Sequence, residues 1–344
     1  MEAEYVEIGD NYVIMNHDFA HKLGRGAFAN VYRCRKLING KLSPEIYVAK
    51  EIHFQRKIPN MKDLIRREIN LMFQLTGKTP SMITIHDHFE GKTPNEMYII
   101  MEYCEGGDLE RYTDEHGPFL EREVAELLHP VATSFVFIHS QEIIHRDLKL
   151  ANLLLVKKPE KGVKPIVKIT DFGLAYALEN QQVAHTTCGT PLYMAPEVWE
   201  RDKKGYSCKI DVWAFGNMLY KMLYGLYVFE DYQVEKRIKE GIIRFPKVRF
   251  TSLEAMDLIL KCLRKDPEKR ISFDEIAAHP FFKKRAFKVF DKVFDGYYGH
   301  FEVRIDHTYD LLKDPNCLKI PVEEASIFDK NNEEAIKEWN KQTY

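Results

Sequence analysis

The sequence has no run of about 18 consecutive apolar residues, so it offers no segment that spans a bilayer as a helix. Its six cysteines, Cys34, Cys104, Cys188, Cys208, Cys262 and Cys317, are scattered with no CxxC pair. That excludes a zinc ribbon and a disulfide framework, and leaves a reducing, cytoplasmic setting as the expectation. Neither sign of charge is in excess. Fifty Lys and Arg oppose 52 Asp and Glu, a net of -2, which excludes binding of nucleic acid or anionic membrane through overall charge. There is no internal repeat and no low-complexity tract. The opening MEAEYVEIGD is acidic and lacks the apolar core of a signal peptide. What remains is ordinary globular composition, 45% hydrophobic and 30% charged, over 344 residues. That length suits two lobes, or one domain with a tail.

Character changes along the chain. Residues 17 to 55 alternate short apolar runs with glycines and charges, the pattern of antiparallel strands and turns. In 61 to 76, Leu64, Ile65, Ile69, Met72 and Leu75 recur at helical spacing. Residues 82 to 102 return to strand character. After Gly106 and Gly107 helices dominate, including a long amphipathic one, EREVAELLHPVATSFVFIHSQ, interrupted at Pro130. The order predicts an α+β protein of two lobes, a small β-rich one with a single helix and a larger α-helical one. The expected boundaries are an N-terminal extension at 1–16, a small lobe at 17–103, a large lobe at 104–283 and a C-terminal tail at 284–344. Lys157 to Lys168 reads as a solvated hairpin loop. In the tail, Phe287, Phe290 and Phe294 share a helical face, which suits docking onto the large lobe or a regulatory role.

The chemistry starts at Gly24-Arg-Gly26-Ala-Phe-Ala29-Asn-Val31, where two glycines let backbone amides approach a phosphate. Alone, this is the pattern of any glycine-rich turn. Nineteen residues after Val31, Val48-Ala49-Lys50 ends an apolar strand with a lysine that a carboxylate can orient. Glu68, beside the apolar stripe of the following helix, is one such carboxylate; surface pairing is its commoner fate. The densest signal is His145-Arg-Asp147-Leu-Lys149-Leu-Ala-Asn152, five polar groups in eight residues. Asp147 can accept a hydroxyl proton, Lys149 can neutralise a phosphoryl group, and Asn152 can offer a carbonyl oxygen to a hard cation. Nineteen residues on, Asp171-Phe-Gly173 puts a carboxylate at a strand end, and Ala195-Pro-Glu197 follows.

Together, in this order and spacing, these segments resemble the eukaryotic protein kinases over about residues 17 to 283. The resemblance implies the bilobal kinase fold, with ATP and Mg²⁺ bound between the lobes. Leu23, Gly24, Gly26, Ala29 and Val31 are expected to roof the nucleotide, although the family's third glycine is Ala29 here. Ala49, Met101 as gatekeeper, and the hinge Glu102 to Cys104 are expected around adenine, and Asp108 at the ribose. Lys50 is expected on the phosphates, paired with Glu68. Asp147 matches the catalytic aspartate, assisted by Lys149, while Asn152 and Asp171 match the Mg²⁺ ligands. Glu197 is expected to pair with Arg270, Asp211 to brace the catalytic loop, and His145 to pack in the core.

The HRDLK sequence with Gly189-Thr190-Pro191 is similar to serine/threonine kinases, so the implied partners are protein substrates bearing those hydroxyls. Arg146 and the segment from Asp171 to Glu197 imply an activation loop with Thr186, eleven residues before Glu197, as phosphosite and Thr187 as runner-up. An upstream activating kinase is a further implied partner. At the subfamily level the segments MEYCEGGDLERY and CGTPLYMAPEV resemble the unc-51-like kinases, with parts shared by the calcium/calmodulin-dependent and NIMA-like groups. The tail has no EF-hand pattern. Two other readings stay open: a scaffold that keeps the fold without transfer, for which Ala29 is the only support, and a kinase whose aromatic tail is autoinhibitory.

Overall fold

A computed structural model describes residues 5–15, 22–25, 29–53, 61–93, 95–160, 162–171, 191–199, 206–229, 234–246, 251–283, 300–304 and 313. An antiparallel sheet dominates the N-terminal part. Its strands are β1 (Tyr5–Ile8), β2 (Tyr12–Met15), β3 (Lys22–Arg25), β4 (Ala29–Ile38), β5 (Lys41–Leu42), β6 (Tyr47–His53), β7 (Ile85–Glu90) and β8 (Glu96–Glu102). Their order is β1-β2-β4-β6-β8-β7, with β3 and β5 also on β4.

Strand alternation separates two cores. Val48, Ile52, Ile99 and Met101 face helix α1 (Met61–Leu75), whose Ile65, Ile69, Met72 and Leu75 are buried at the predicted spacing. Lys62 and Arg66, on the helix's polar side, both reach Glu90 on β7. The opposite sheet face carries Tyr32, Cys34, Ala49, Tyr98 and Ile100, and the β1–β2 hairpin closes it with Ile8, Tyr12 and Ile14. Tyr12 stacks on Phe89 at 5.9 Å. The turn needs Gly9 twice over, because its φ is +58° and a Cβ there would lie 2.7 Å from the Phe89 ring. Burying three large apolar side chains at about 1.5–3 kcal/mol each gives this hairpin a stabilising role.

A small sheet follows, with β9 (Gly107–Asp108), β10 (Leu153–Leu155) and β11 (Val167–Ile169) in the order β11-β10-β9. A bridge from Met82 to Ile169 and a bond from Ile83 N to Ile169 O tie it to the N-terminal part. The rest is mainly helical: α2 (Leu109–His116), α3 (Glu121–Ser140), α4 (Pro196–Trp199), α5 (Lys209–Tyr224), α6 (Val234–Glu240), α7 (Leu253–Cys262), α8 (Phe273–Ala277) and α9 (Pro280–Lys283). The α3 helix is not interrupted; it continues through Pro130 for 20 residues. Val124, Leu127, Leu128, Val131, Phe135 and Ile138 form one buried stripe on both sides of the proline, and that packing outweighs one lost backbone bond. Helix α5 is buried along its whole length from Ile210 to Tyr224 and is the axis of this core.

Two strands beyond these, β12 (Ile242–Pro246) and β13 (His300–Arg304), pair antiparallel, from Ile242↔Arg304 to Pro246↔His300. So a segment of the C-terminal tail lies against the strand after α6. Phe287, Phe290 and Phe294 fall outside the described residues.

Candidate active site

Two clusters meet between the large sheet and the helical part. In the first, Lys50 lies in β6, opposite Val31 on one side and Ile99 on the other. Its Nζ reaches Asp171 Oδ1 at 2.6 Å, a contact between residues 121 positions apart. Asp171 follows β11 with φ +61°, a left-handed backbone that costs a non-glycine residue and that collects at functional sites. Burial pushes its carboxyl upward, but the Lys50 cation outweighs that and holds it below the usual range. Thr170 Oγ1 also donates to Oδ1, while Oδ2 accepts no bond among the described residues.

The second cluster is the loop from His145 to Asn152. Lys149 Nζ straddles the Asp147 carboxylate at 3.0 and 2.8 Å. Asn152 Nδ2 donates to Asp147 O at 2.7 Å and to Asp147 Oδ2 at 3.0 Å, which leaves its amide oxygen for another partner. The loop is braced from below. The backbone N–H groups of His145 and Arg146 each donate to Asp211 on α5 at 2.9 Å, and His139 Nε2 meets the same carboxylate at 2.9 Å. That grip holds Arg146 at φ +70°. His145 is fully buried. Its Nδ1 accepts from Asp147 N, so Nε2 carries the hydrogen and donates to Thr170 O at 3.0 Å. The histidine therefore joins the two clusters as a packed core residue.

The cleft walls fit a nucleotide. Val31 and Ala29 lie on the Lys50 face, and Met101 is buried beside them. Leu23 is 42% exposed on β3. Among the described residues a Cβ on Gly24 would meet only Val31, at 3.9 Å, so their packing does not demand a glycine there. The Cys104 N–H finds no acceptor among the described residues, which suits a hinge that offers its donor to a base. Glu102 is clamped from behind by Lys168 Nζ at 3.0 Å and Thr84 N at 2.7 Å. Asp108 caps α2 through Oδ1 to Arg111 N at 2.8 Å, leaving one carboxylate oxygen for a ligand. For a cation, Asp171 and Asn152 supply hard oxygens, the donor type Mg²⁺ prefers, and a two-ligand site suits an ion that brings waters and phosphate oxygens with it.

One expected residue is misplaced by the sequence reading. Ala49 is fully buried in the outer core with Tyr12 and Tyr98, on the face opposite Lys50. The two-residue period decides this: Val48, not Ala49, shares the lysine's face, and Ala49 goes outward with Glu51. The same period could have identified Val48. Lys168 and Thr170 were also missed; no local pattern marks them, because their partners are distant in sequence. Gly26, Phe172, Thr186, Thr187 and Thr190 lie outside the described residues, as does the side chain of Glu68. The expected ion pair does form: Arg270 donates to both oxygens of Glu197, at 2.7 and 3.0 Å.

A β-rich lobe with one helix, a helical lobe, and a lysine, two aspartates and an asparagine gathered between them are the parts that phosphoryl transfer calls for. The comparisons carry that one step further. The protein kinase domain profile matches residues 17–282, and the chain belongs to that family. It is 35% identical to a serine/threonine-protein kinase PLK4 of Drosophila persimilis over 79% of this chain and 34% of that protein. The PLK4 of Aedes aegypti is 36% identical over 79% and 34%, and that of Xenopus laevis 36% over 75% and 26%. The chain thus spans about a third or less of the curated relatives it matches. Among solved structures, Rad53 residues 1–466 in complex with AMP-PNP is similar at TM-score 0.60 and 30% identity, covering 76% of this chain and 63% of that one. These relatives support the serine/threonine class without singling out the unc-51-like or calcium/calmodulin-dependent group. Among the described residues no helix is long and apolar enough to cross a membrane.

Proposed function

We propose that this chain transfers the γ-phosphoryl group of ATP to serine and threonine hydroxyls of protein substrates. The observation that carries the reading is the pair of linked clusters, Lys50 on Asp171 and Lys149 with Asn152 on Asp147. Asp147 orients the incoming hydroxyl and takes its proton as the new bond forms. Lys149, 2.8 Å from that carboxylate, offsets charge spreading over the transferring oxygens. Lys50 holds the phosphates of the bound nucleotide. Asn152 and Asp171 would hold Mg²⁺, which when bound neutralises phosphate charge. Val31, Val48 and Met101 wall the base, and Cys104 N–H hydrogen-bonds it. The glycine at position 24 leaves backbone open to a phosphate. Little covalent chemistry falls to the protein, so positioning and fixed charge supply the rate.

Regulation is proposed at Thr186, with Thr187 second, through an upstream kinase or the chain itself, and with Arg146 as receiver of the phosphate. The lobe boundaries at 103/104 and 283/284 belong to the same reading. The proposed setting is cytoplasmic, supported by four free cysteines among the described residues.

The test uses labelled ATP with Mg²⁺, a generic basic protein and the chain itself, beside Asp147→Asn. Label on serine or threonine, lost in the variant while ATP still binds, is the expected result. ATP binding without transfer by the wild type, even after treatment with an activating kinase, would make the protein a scaffold.

A further inference from the structure

Three side chains outside the transfer machinery converge beneath the catalytic loop. Cys208 is the N-cap of α5, His139 lies in the last turn of α3, and Asp211 lies in the first turn of α5. His139 Nε2 is 2.9 Å from Asp211 Oδ2, and the same imidazole is hydrogen-bonded to the Cys208 thiol. Asp211, with a side chain 1% exposed, also receives the backbone N–H groups of His145 and Arg146. The Cys208 carbonyl accepts from Asp211 N at 3.1 Å, so thiol and carboxylate share one turn of backbone. Beside them opens a cavity of about 200 Å³, lined in part by Val136, His139, Cys208, Lys209 and Phe273. Cys208 is half-buried, so a small solute can reach it through that cavity.

The surroundings favour a thiolate. The hydrogen bond to His139 holds the Cys208 thiol below its ordinary range against the pull of burial; His139 and Lys209 attract the anion and Asp211 opposes it. The helix N-terminus adds to the attraction. Burial works against charge on His139, but its bonds to Asp211 and Cys208 push the imidazolium up to about 9. The other described cysteines behave oppositely: burial pushes Cys34 and Cys104 up to about 12, and Cys262 upward as well.

We propose that Cys208 is an oxidant-sensitive modification site, converted by hydrogen peroxide to a sulfenic acid and capped by glutathione, and that this loosens Asp211's hold on the catalytic loop. In the first step the thiolate sulfur attacks one peroxide oxygen. The S–O bond forms, the O–O bond breaks, and the departing hydroxide takes the His139 proton to leave as water. Sulfur loses two electrons and peroxide gains them. In the second step glutathione's sulfur attacks Cys208, an S–S bond replaces S–O, and the thiol proton leaves with the hydroxyl as water. His139 then loses the partner it shares with Asp211, and the bonds to His145 and Arg146 loosen. The modification stands without any assumption about activity; the loss of phosphoryl transfer rests on the function proposed above.

The experiment treats the full chain and Cys208→Ser with hydrogen peroxide and glutathione at pH 7, then maps every cysteine by mass spectrometry. Cys208 is expected to react at least about tenfold faster than Cys34 or Cys104. Alkylation of Cys208 by iodoacetamide should have its pH midpoint below that of free glutathione run in parallel. Amide hydrogen exchange at His145 and Arg146 should speed up in the modified protein, which tests the coupling whether or not the chain transfers phosphate. Transfer should fall severalfold and return on reduction, and Cys208→Ser should be insensitive. Even modification of all cysteines, an alkylation midpoint at or above that of glutathione, or unchanged exchange at His145 and Arg146 after modification would overturn the proposal. Inhibition persisting in Cys208→Ser would do the same, since the effect would then belong to another cysteine.

Discussion

Removing the Glu197 carboxylate strands a buried guanidinium. All five N–H donors of Arg270 are engaged: two on Glu197, and one each on the carbonyls of Lys209, Lys265 and Arg264. The Arg270 side chain is 0% exposed, and its guanidinium lies 5.2 Å from the Trp213 ring. Glu197→Ala leaves a positive charge and two donors with nothing to compensate them, at a cost of about 3–5 kcal/mol. Glu197→Gln keeps one acceptor but not the charge, so a smaller loss of about 1–3 kcal/mol is expected. Arg270→Met is no remedy, because three backbone carbonyls lose their donor; adding it to Glu197→Ala recovers only part of the loss. Denaturant unfolding followed by tryptophan fluorescence reads this region through Trp213. A Glu197→Ala protein within about 1 kcal/mol of wild type would refute the reasoning, since it would mean that water reaches the guanidinium.

Asp211→Asn cannot serve three donors with one carbonyl, so the catalytic loop shifts; kcat is expected to fall about 10- to 100-fold with little change in KM for ATP, and an unchanged kcat contradicts the bracing role. His139 titrates at about 9 in the fold against an ordinary 6.5. A raised value stabilises fully below 6.5 and the benefit is lost as pH rises through 9, on the order of 3 kcal/mol. Denaturation at pH 6 and pH 9 should show that slope in wild type and a flatter one in His139→Gln; equal slopes count against it. Gly216→Ala sets helix propensity, worth about 1 kcal/mol in favour, against a Cβ placed 2.7 Å from Cys262 Cβ. Overpacking costs about 1–3 kcal/mol and should win, so the melting temperature falls; a rise would show that α5 and α7 have room to part.

Much of the fold was legible because periodicity is local. The stripe Ile65, Ile69, Met72 and Leu75 predicted α1, and the same stripe is what the helix buries. The lysine-rich stretch begins, as expected, as a connection between two short paired strands, but its end is not loop: Val167 and Lys168 belong to β11. Pro130 misled because the rule for a proline considers one backbone bond, while α3 is held by a buried stripe on either side of it. Ala49 misled for the opposite reason: the motif was matched by residue type, and the strand's period assigns the cleft face to Val48. The β1–β2 hairpin was invisible because its partners, Phe89 and Tyr98, lie some 80 residues on, and alternation does not say what will cover a face.

By itself the sequence determined most element types beyond the β1–β2 hairpin, the two-lobe order and the charged residues of the cleft's two motifs, since motif spacing and apolar period are carried within each segment. Which groups meet was decided by tertiary structure alone. Lys50 reaches Asp171 across 121 positions, Arg270 finds five acceptors on three segments, and Cys208, His139 and Asp211 close beneath the catalytic loop. The physical reason is that such contacts depend on how packed helices and sheets orient side chains from distant segments, and no local pattern encodes that geometry.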